Sequence, residues 1–229
     1  MTDLVVLVPV LGRPANAAPL AESFLEARTV ESNLVFICST GDTDEIRACA
    51  AATSPDDGTS FNVVDWTAGP GDFARKINHG FRRSSHPFMF QAADDVVFCP
   101  GWDRAALHVA DLTGAGVVGT NDMGNPKVIR GHHSTHTLIR RAYVDGPGGS
   151  LDGPGIVFHE GYGHQFADTE LVELAKSRGQ WAFAHEAIVC HEHPFWDKTV
   201  PTDATYRKGQ ASAQHDARLY RRRSRQWKQ

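Results

Sequence analysis

Two adjacent carboxylates interrupt an otherwise apolar stretch, FMFQAADDVVFCPGW, Phe88 to Trp102. Aspartates are rarely buried unless they are paired or hold a metal, so Asp94 and Asp95 call for a cation or a solvated turn. In QFADTELVE, Asp168 and Glu170 open a helix-forming segment. Either can act as a general base or merely complement the helix dipole. In CHEHP, an extended backbone turns His191 and His193 to one face and Glu192 to the other. One or both imidazoles could then meet a carboxylate-bound metal. Other histidines cluster in GHHSTH (His132, His133, His136) and HEGYGH (His159, His164). A lone histidine is more often a satisfied core or surface group than a ligand, and a three-histidine zinc site for hydrolysis is the alternative chemistry.

The elements that must place these groups are legible as periodic segments. DLVVLVPVL is a short, valine-rich run ended by Gly12 and Pro14, as a buried central strand is. NAAPLAESFLEAR then has helical spacing, NLVFICS reads as a strand, TGDTDEIRACAAA as a helix, FNVVDW as a strand, GDFARKINHGFRRS as a helix and PFMFQA as a fourth strand. This alternation predicts parallel βαβ units in an α/β fold, with ligands at the carboxyl ends of the strands, where Asp94 and Asp95 fall. Beyond residue 100, VDGPGGSLDGPG (Val144 to Gly155) is expected as a loop and a candidate cover, ADTELVELAKSRG as a helix, and QWAFAHEAIVCHEHPFW as one or two strands.

The order of these motifs resembles the nucleotide-diphosphosugar glycosyltransferases of the GT-A fold, most closely the family 2-like group. The resemblance rests on VPVLGRP (Val8 to Pro14), STGDTDE (Ser39 to Glu45), ARKIN (Ala74 to Asn78), Asp94-Asp95, HQFADTELVE and CHEHP. It implies a GT-A-like, mostly parallel sheet flanked by helices in a single domain. Residues 1–100 would form the nucleotide-sugar half, 101–217 the acceptor-binding and catalytic half, and 218–229 a basic tail. It also implies transfer of a sugar from a nucleotide-diphosphate sugar, expected to be a UDP-sugar, to a hydroxyl acceptor with inversion. Mn²⁺ or Mg²⁺ would neutralise the leaving diphosphate as a Lewis acid. Asp95 is expected to take the metal with His191 or His193, and Asp94 the ribose or a contact behind the metal. Pro9 and Val10 are expected under the base, with Asp42, Asp44 or Asp65 at the base or ribose, although Asp42 and Asp44 equally suit helix caps. Arg13, Arg75 and Asn78 are placed near phosphate or base, whereas Lys76 reads as a solvated helix face. Asp168 is expected as the base, with Glu170 as its rival because Ala167 stands where the family pattern has Glu. His132 and His133 would line the acceptor pocket or be exposed. Trp66, Trp102, Tyr162, Phe195 and Trp196 are equally suited to sugar stacking and to the core. The competing activity is a metal-dependent phosphoester or nucleotide-sugar hydrolase.

Composition sets the outer bounds. At 229 residues, with 41% hydrophobic and 22% charged residues, one α/β domain is the expectation. No run approaches the roughly 20 apolar residues of a membrane span, and the start, MTDLVVLVPV, reads as a strand rather than an export signal. Four dispersed cysteines form no CxxC pair, so a reducing cytoplasm is expected. The net charge of −4 hides an asymmetry, because Arg218 to Lys228 contains six Lys or Arg and no acid. A solvated helix is the first reading of that tail. Modified DNA is a possible acceptor through it, and a protein, glycan or lipid head group is equally allowed.

Overall fold

The computed structural model describes residues 3–227. β1 (Leu4–Pro9) is buried at every position, and its side chains alternate between the two faces of a sheet. Leu4, Val6 and Val8 join one core cluster, whereas Val5 and Leu7 join the other. A strand covered on both faces cannot show the apolar-polar alternation of a surface strand, which explains its continuous apolar run.

β1 pairs in parallel with β2 (Ser32–Ser39) and β4 (Phe88–Gln91), and β2 pairs in parallel with β3 (Thr59–Val64). α1 (Ala17–Ala27), α2 (Thr43–Ala51) and α3 (Asp72–Arg83) supply the crossovers. α1 buries Leu20, Phe24 and Ala27, three and four residues apart, on one core. α3 lies so close to the sheet that a Cβ on Gly80 would come within 2.7 Å of Leu7 Cδ1 and 2.8 Å of Ile37 Cδ1. Any larger residue there would push the helix away.

After β5 (Val96–Phe98), α4 (Trp102–Thr113), β6 (Val117–Asn121) and the short α5 (Pro126–Ile129), β7 (Thr137–Arg140) inserts antiparallel between β4 and β6. α6 (Arg141–Asp145), α7 (Ala167–Ser177) and β8 (Trp181–His191) follow, with β8 parallel to β6 and antiparallel to β5. The strand order is β3-β2-β1-β4-β7-β6-β8-β5. The two halves expected on either side of residue 100 thus share one sheet, joined where β4 meets β7. Phe24, Phe90, Phe98 and Trp102 form an aromatic cluster with ring centroids 4.7 to 6.1 Å apart, which places Trp102 in the core.

Two last helices follow, α8 (Ala204–Ala211), which folds back onto the carboxyl ends of the strands, and α9 (Ala213–Arg223). Asp216 fastens them: its carboxylate accepts the amides of Gly163, His164 and Gln165 at 2.8 to 3.0 Å. Arg223 ion-pairs with Glu170 and Asp152, and Tyr220 stacks on Phe166 at 5.2 Å. The basic segment is therefore a helix packed along one face, not a free arm; Lys228 lies outside the described residues. No helix among the described residues is long and apolar enough to cross a membrane.

Candidate active site

The carboxyl ends of β1 and β4 and the C-terminal end of β8 open into a cavity of about 660 Å³. Its lining includes Pro9, Val10, Arg13, Asp94, Asp95, Asp168, His191 and His193, together with His136, whose ring lies 4.8 Å from that of His191. α8 closes it with Tyr206, Lys208 and Gly209. The loop from Val144 to Gly155, expected as a cover, does not line the cavity. Its backbone is held instead by Arg178, which donates to the carbonyl of Gly148 at 2.6 Å. The covering role falls to α8 and to Ser212 after it.

Asp94 and Asp95 follow β4 in a turn and are nearly buried. The nearest cation is Arg13, whose Nη1 donates to Asp94 Oδ1 at 2.8 Å and Asp95 Oδ2 at 3.1 Å, while its Nε donates to Asp203 at 2.7 Å. The Tyr206 hydroxyl also donates to Asp95 Oδ2, at 2.7 Å, and its ring lies 4.0 Å beneath the guanidinium. Burial and the neighbouring Asp95 charge push Asp94 up to about 7, against the opposing pull of Arg13. Burial also opposes ionisation of Asp95, but His191, Arg13 and Tyr206 outweigh it and hold that carboxyl well below the usual range. His191 Nε2 stands 3.3 Å from Asp95 Oδ1. Burial works against its protonation, yet Asp95 raises its pKa above the ordinary value. His193 stands 5.0 Å from His191, ring to ring, and is pushed down to about 4 by burial and by His191.

Asp168 starts α7 and faces the cavity. Burial would raise its pKa, but His133 Nε2 at 3.2 Å and the Thr169 amide at 2.7 Å hold it below the ordinary range, so it is ionised at neutral pH. Glu170, its rival for the base role, is 1% exposed and off the cavity. Its oxygens are taken by Tyr162 and Arg223, each at 2.7 Å, so it is a structural anion. His132 is exposed, and its carbonyl accepts from Lys176 at 2.6 Å.

Several expected contacts fall elsewhere. Asn78 is fully buried and ties α3 to the chain at Val157 and Phe158 through four hydrogen bonds, one of them to Glu160. Arg75 stacks on Trp66 at 4.5 Å, Asp65 is exposed, and Asp42 accepts the Gly12 amide at 3.0 Å. None of these four lines the cavity. Lys76, read as a solvated face, is instead 1% exposed and lines the cavity. It pairs with Asp72 at 2.7 Å and donates to the carbonyl of Val10 at 2.6 Å. Asp203, Tyr206 and Asp216 were missed because each acts on a residue tens to nearly two hundred positions away. The one local signal was Asp203 as a helix cap, which accepts the amide of Tyr206 at 2.8 Å.

No family model and no curated protein matches the sequence. Solved structures do. The mannosyltransferase PcManGT from Pyrobaculum calidifontis, in complex with GDP-Man and Mn²⁺, aligns with a TM-score of 0.64 at 14% identity over 82% of this chain. S. aureus TarS aligns with a TM-score of 0.59 at 12% identity over 85% of this chain. The glucosyl-3-phosphoglycerate synthase from Mycobacterium tuberculosis, in complex with Mn²⁺, UDP-glucose and phosphoglyceric acid, aligns with a TM-score of 0.62 at 14% identity over 97%. This chain has the GT-A fold. It spans 56% of the length of the mannosyltransferase, 61% of the TarS structure and 80% of the synthase.

Within the GT-A fold, the carboxylate pair can be tested for a metal on its own atoms. Asp95 Oδ1 and His191 Nδ1 are both buried without a hydrogen-bond partner. With Asp95 Oδ1 only 3.3 Å from His191 Nε2, a carboxylate and an imidazole stand side by side as a two-ligand donor set. No group of three His, Cys, Asp or Glu among the described residues is arranged to hold an ion by itself. Mg²⁺ and Mn²⁺ accept few protein ligands and complete their shell with phosphate oxygens and water, so the residues fit such an ion. The same geometry disfavours a three-histidine zinc centre.

Proposed function

We propose that the chain is a metal-assisted glycosyltransferase that moves a sugar from a nucleotide-diphosphate sugar, taken first as a UDP-sugar, to a hydroxyl acceptor with inversion. One observation carries this reading: the Asp95 carboxylate, 3.3 Å from His191, shares a single cavity with a second carboxylate, Asp168, whose pKa is held below the ordinary range. Asp95 and His191 would hold Mn²⁺ or Mg²⁺, which neutralises charge on the departing diphosphate.

The chain's own groups supply the rest. Pro9, Val10 and Asp94 form the nucleoside wall, and Arg13, Lys76 and Lys208 bring positive charge to the diphosphate. Asp168 accepts the proton of the acceptor hydroxyl while its oxygen bonds to the anomeric carbon and the bond to the phosphate oxygen breaks. Attack on the anomeric carbon from the face away from the departing diphosphate inverts the configuration. His133, bonded to Asp168 Oδ2, fixes its direction.

Calorimetric titration of UDP, GDP and dTDP, with and without Mn²⁺, tests the proposal. Metal-dependent binding of one nucleotide, lost in Asp95→Asn, is the expected result. Absence of binding by all three under both conditions would sink it.

A further inference from the structure

Arg218, Arg221, Arg222 and Arg225 are spaced three, four and seven residues apart, so they line one stripe of α9 and its last turn. All four are exposed, and among the described residues no carboxylate lies within ion-pair distance of them. Like charges at this spacing repel and weaken a helix. The helix tolerates them because its other face is fastened: Tyr220 stacks on Phe166, Arg223 grips Glu170, and Asp216 caps three amides. Asp216 is the sole acid between residues 204 and 227, and it is consumed by those amides. The positive charge is therefore local and rigidly mounted on a chain that is acidic overall.

The stripe also has a direction. Ser212, just before α9, lines the cavity, as does Lys208 on α8, beside the exposed Arg207. From Ser212 the arginines begin about 9 Å along the helix and end roughly 20 Å along it, at 1.5 Å per residue. Leu219 and Tyr220 pack inward on the core, so the helix offers no apolar face to a bilayer, as a membrane-surface helix must. What remains is a row of planar guanidinium forks, which match phosphate oxygens in pairs.

We propose that this stripe docks the phosphate backbone of a nucleic acid and so brings an acceptor carried on that polymer to the cavity mouth. The docking stands on the stripe alone; the acceptor role rests on the glycosyl-transfer reading.

Fluorescence anisotropy with the full chain, a labelled DNA duplex and the matching single strand, over a salt series, tests it. Four neutralised phosphates give a slope of log affinity against log salt of about −3 to −4. A variant carrying Arg218→Gln, Arg221→Gln, Arg222→Gln and Arg225→Gln is expected to lose tenfold or more in affinity and most of that slope, with melting temperature no lower and nucleotide binding unchanged. Should that variant fold poorly, Arg221→Gln with Arg222→Gln is expected to halve the slope. No binding to either DNA at low salt, binding indifferent to these substitutions, or binding to phosphatidylglycerol vesicles in place of DNA would overturn the proposal. DNA binding without nucleotide binding would leave the docking in place and remove the acceptor role.

Discussion

Arg13 and Arg223 sit in clusters of nearly the same composition. Each guanidinium meets carboxylates on more than one segment, each cluster has a tyrosine hydroxyl donating to a carboxylate, and each ends in a histidine. They differ in how completely their atoms are satisfied. Around Arg223, both oxygens of Glu170 and both of Asp152 accept hydrogen bonds. Around Arg13, one oxygen of Asp95 and one nitrogen of His191 are buried without a hydrogen bond, and both residues line a cavity that no residue of the Arg223 cluster lines. A saturated network spends its charges on holding α9 to α7, whereas an unsaturated one retains capacity for a ligand. Residue type alone does not separate the two; the count of open atoms does.

The comparison breaks first at Arg223. Arg223→Met removes the cation that, among the described residues, pairs with a Glu170 only 1% exposed, and a buried charge stripped of its partner costs about 3–5 kcal/mol. Urea denaturation is expected to show that loss, while the folded fraction still binds nucleotide and metal. A stable variant with lost binding would reverse the roles assigned to the clusters.

At the catalytic side, Asp168→Asn is expected to lower kcat about a thousandfold, within the usual range for a general base, with little change in melting temperature. Glu170→Gln is expected to do the opposite, lowering stability and sparing kcat in the folded enzyme. If the two variants exchanged phenotypes, the base would be Glu170 and the cavity geometry would be misleading. A smaller effect is expected at the metal: Asp95→Asn should weaken metal-dependent nucleotide binding by about a hundredfold, or roughly 2.7 kcal/mol. Calorimetry at matched Mn²⁺ reads it directly. Equal loss of binding without Mn²⁺ would mean that Asp95 acts through Arg13 rather than through the ion.

The N-terminal half was legible because its information is local. Val5, Val6 and Val8 announce a strand within a few residues, and the break at Asp94 and Asp95 marks the strand end that parallel sheets use for ligands. The C-terminal half also revealed α7 and β8, and with them Asp168 and His191. What stayed hidden is contact between distant segments: Arg13 meeting Asp203, Tyr206 meeting Asp95, Asp216 meeting Gly163. No periodicity encodes such pairs, since each partner looks like an ordinary cap or surface residue in its own window. Lys76 was misread for the same reason. Its Asp72 partner lies four residues away on α3, as in any surface ion pair, and the carbonyl of Val10, beyond the end of β1, is the contact that no local window shows.

Acid should separate the clusters more gently than mutation does. Asp216 and Asp152 belong to the satisfied set. Burial alone would raise both, but hydrogen bonds from amides and Ser212 to Asp216, and from Ser150, His159 and Arg223 to Asp152, hold them below the ordinary value. A folded-state pKa below the unfolded value of about 3.9 means that the unfolded chain takes up protons first. Their stabilisation is thus complete above roughly pH 5 and drains away as pH falls through the lowered folded values. Melting temperature measured downward from pH 6 should stay nearly level and then drop steeply below about pH 4. Asp216→Asn, which keeps one acceptor oxygen for three amides, should cost about 1–2 kcal/mol at neutral pH and flatten the acid limb. An unchanged acid limb in that variant would mean that the amides of Gly163, His164 and Gln165 do not hold α9 in place, and that α8 is kept over the cavity by another anchor.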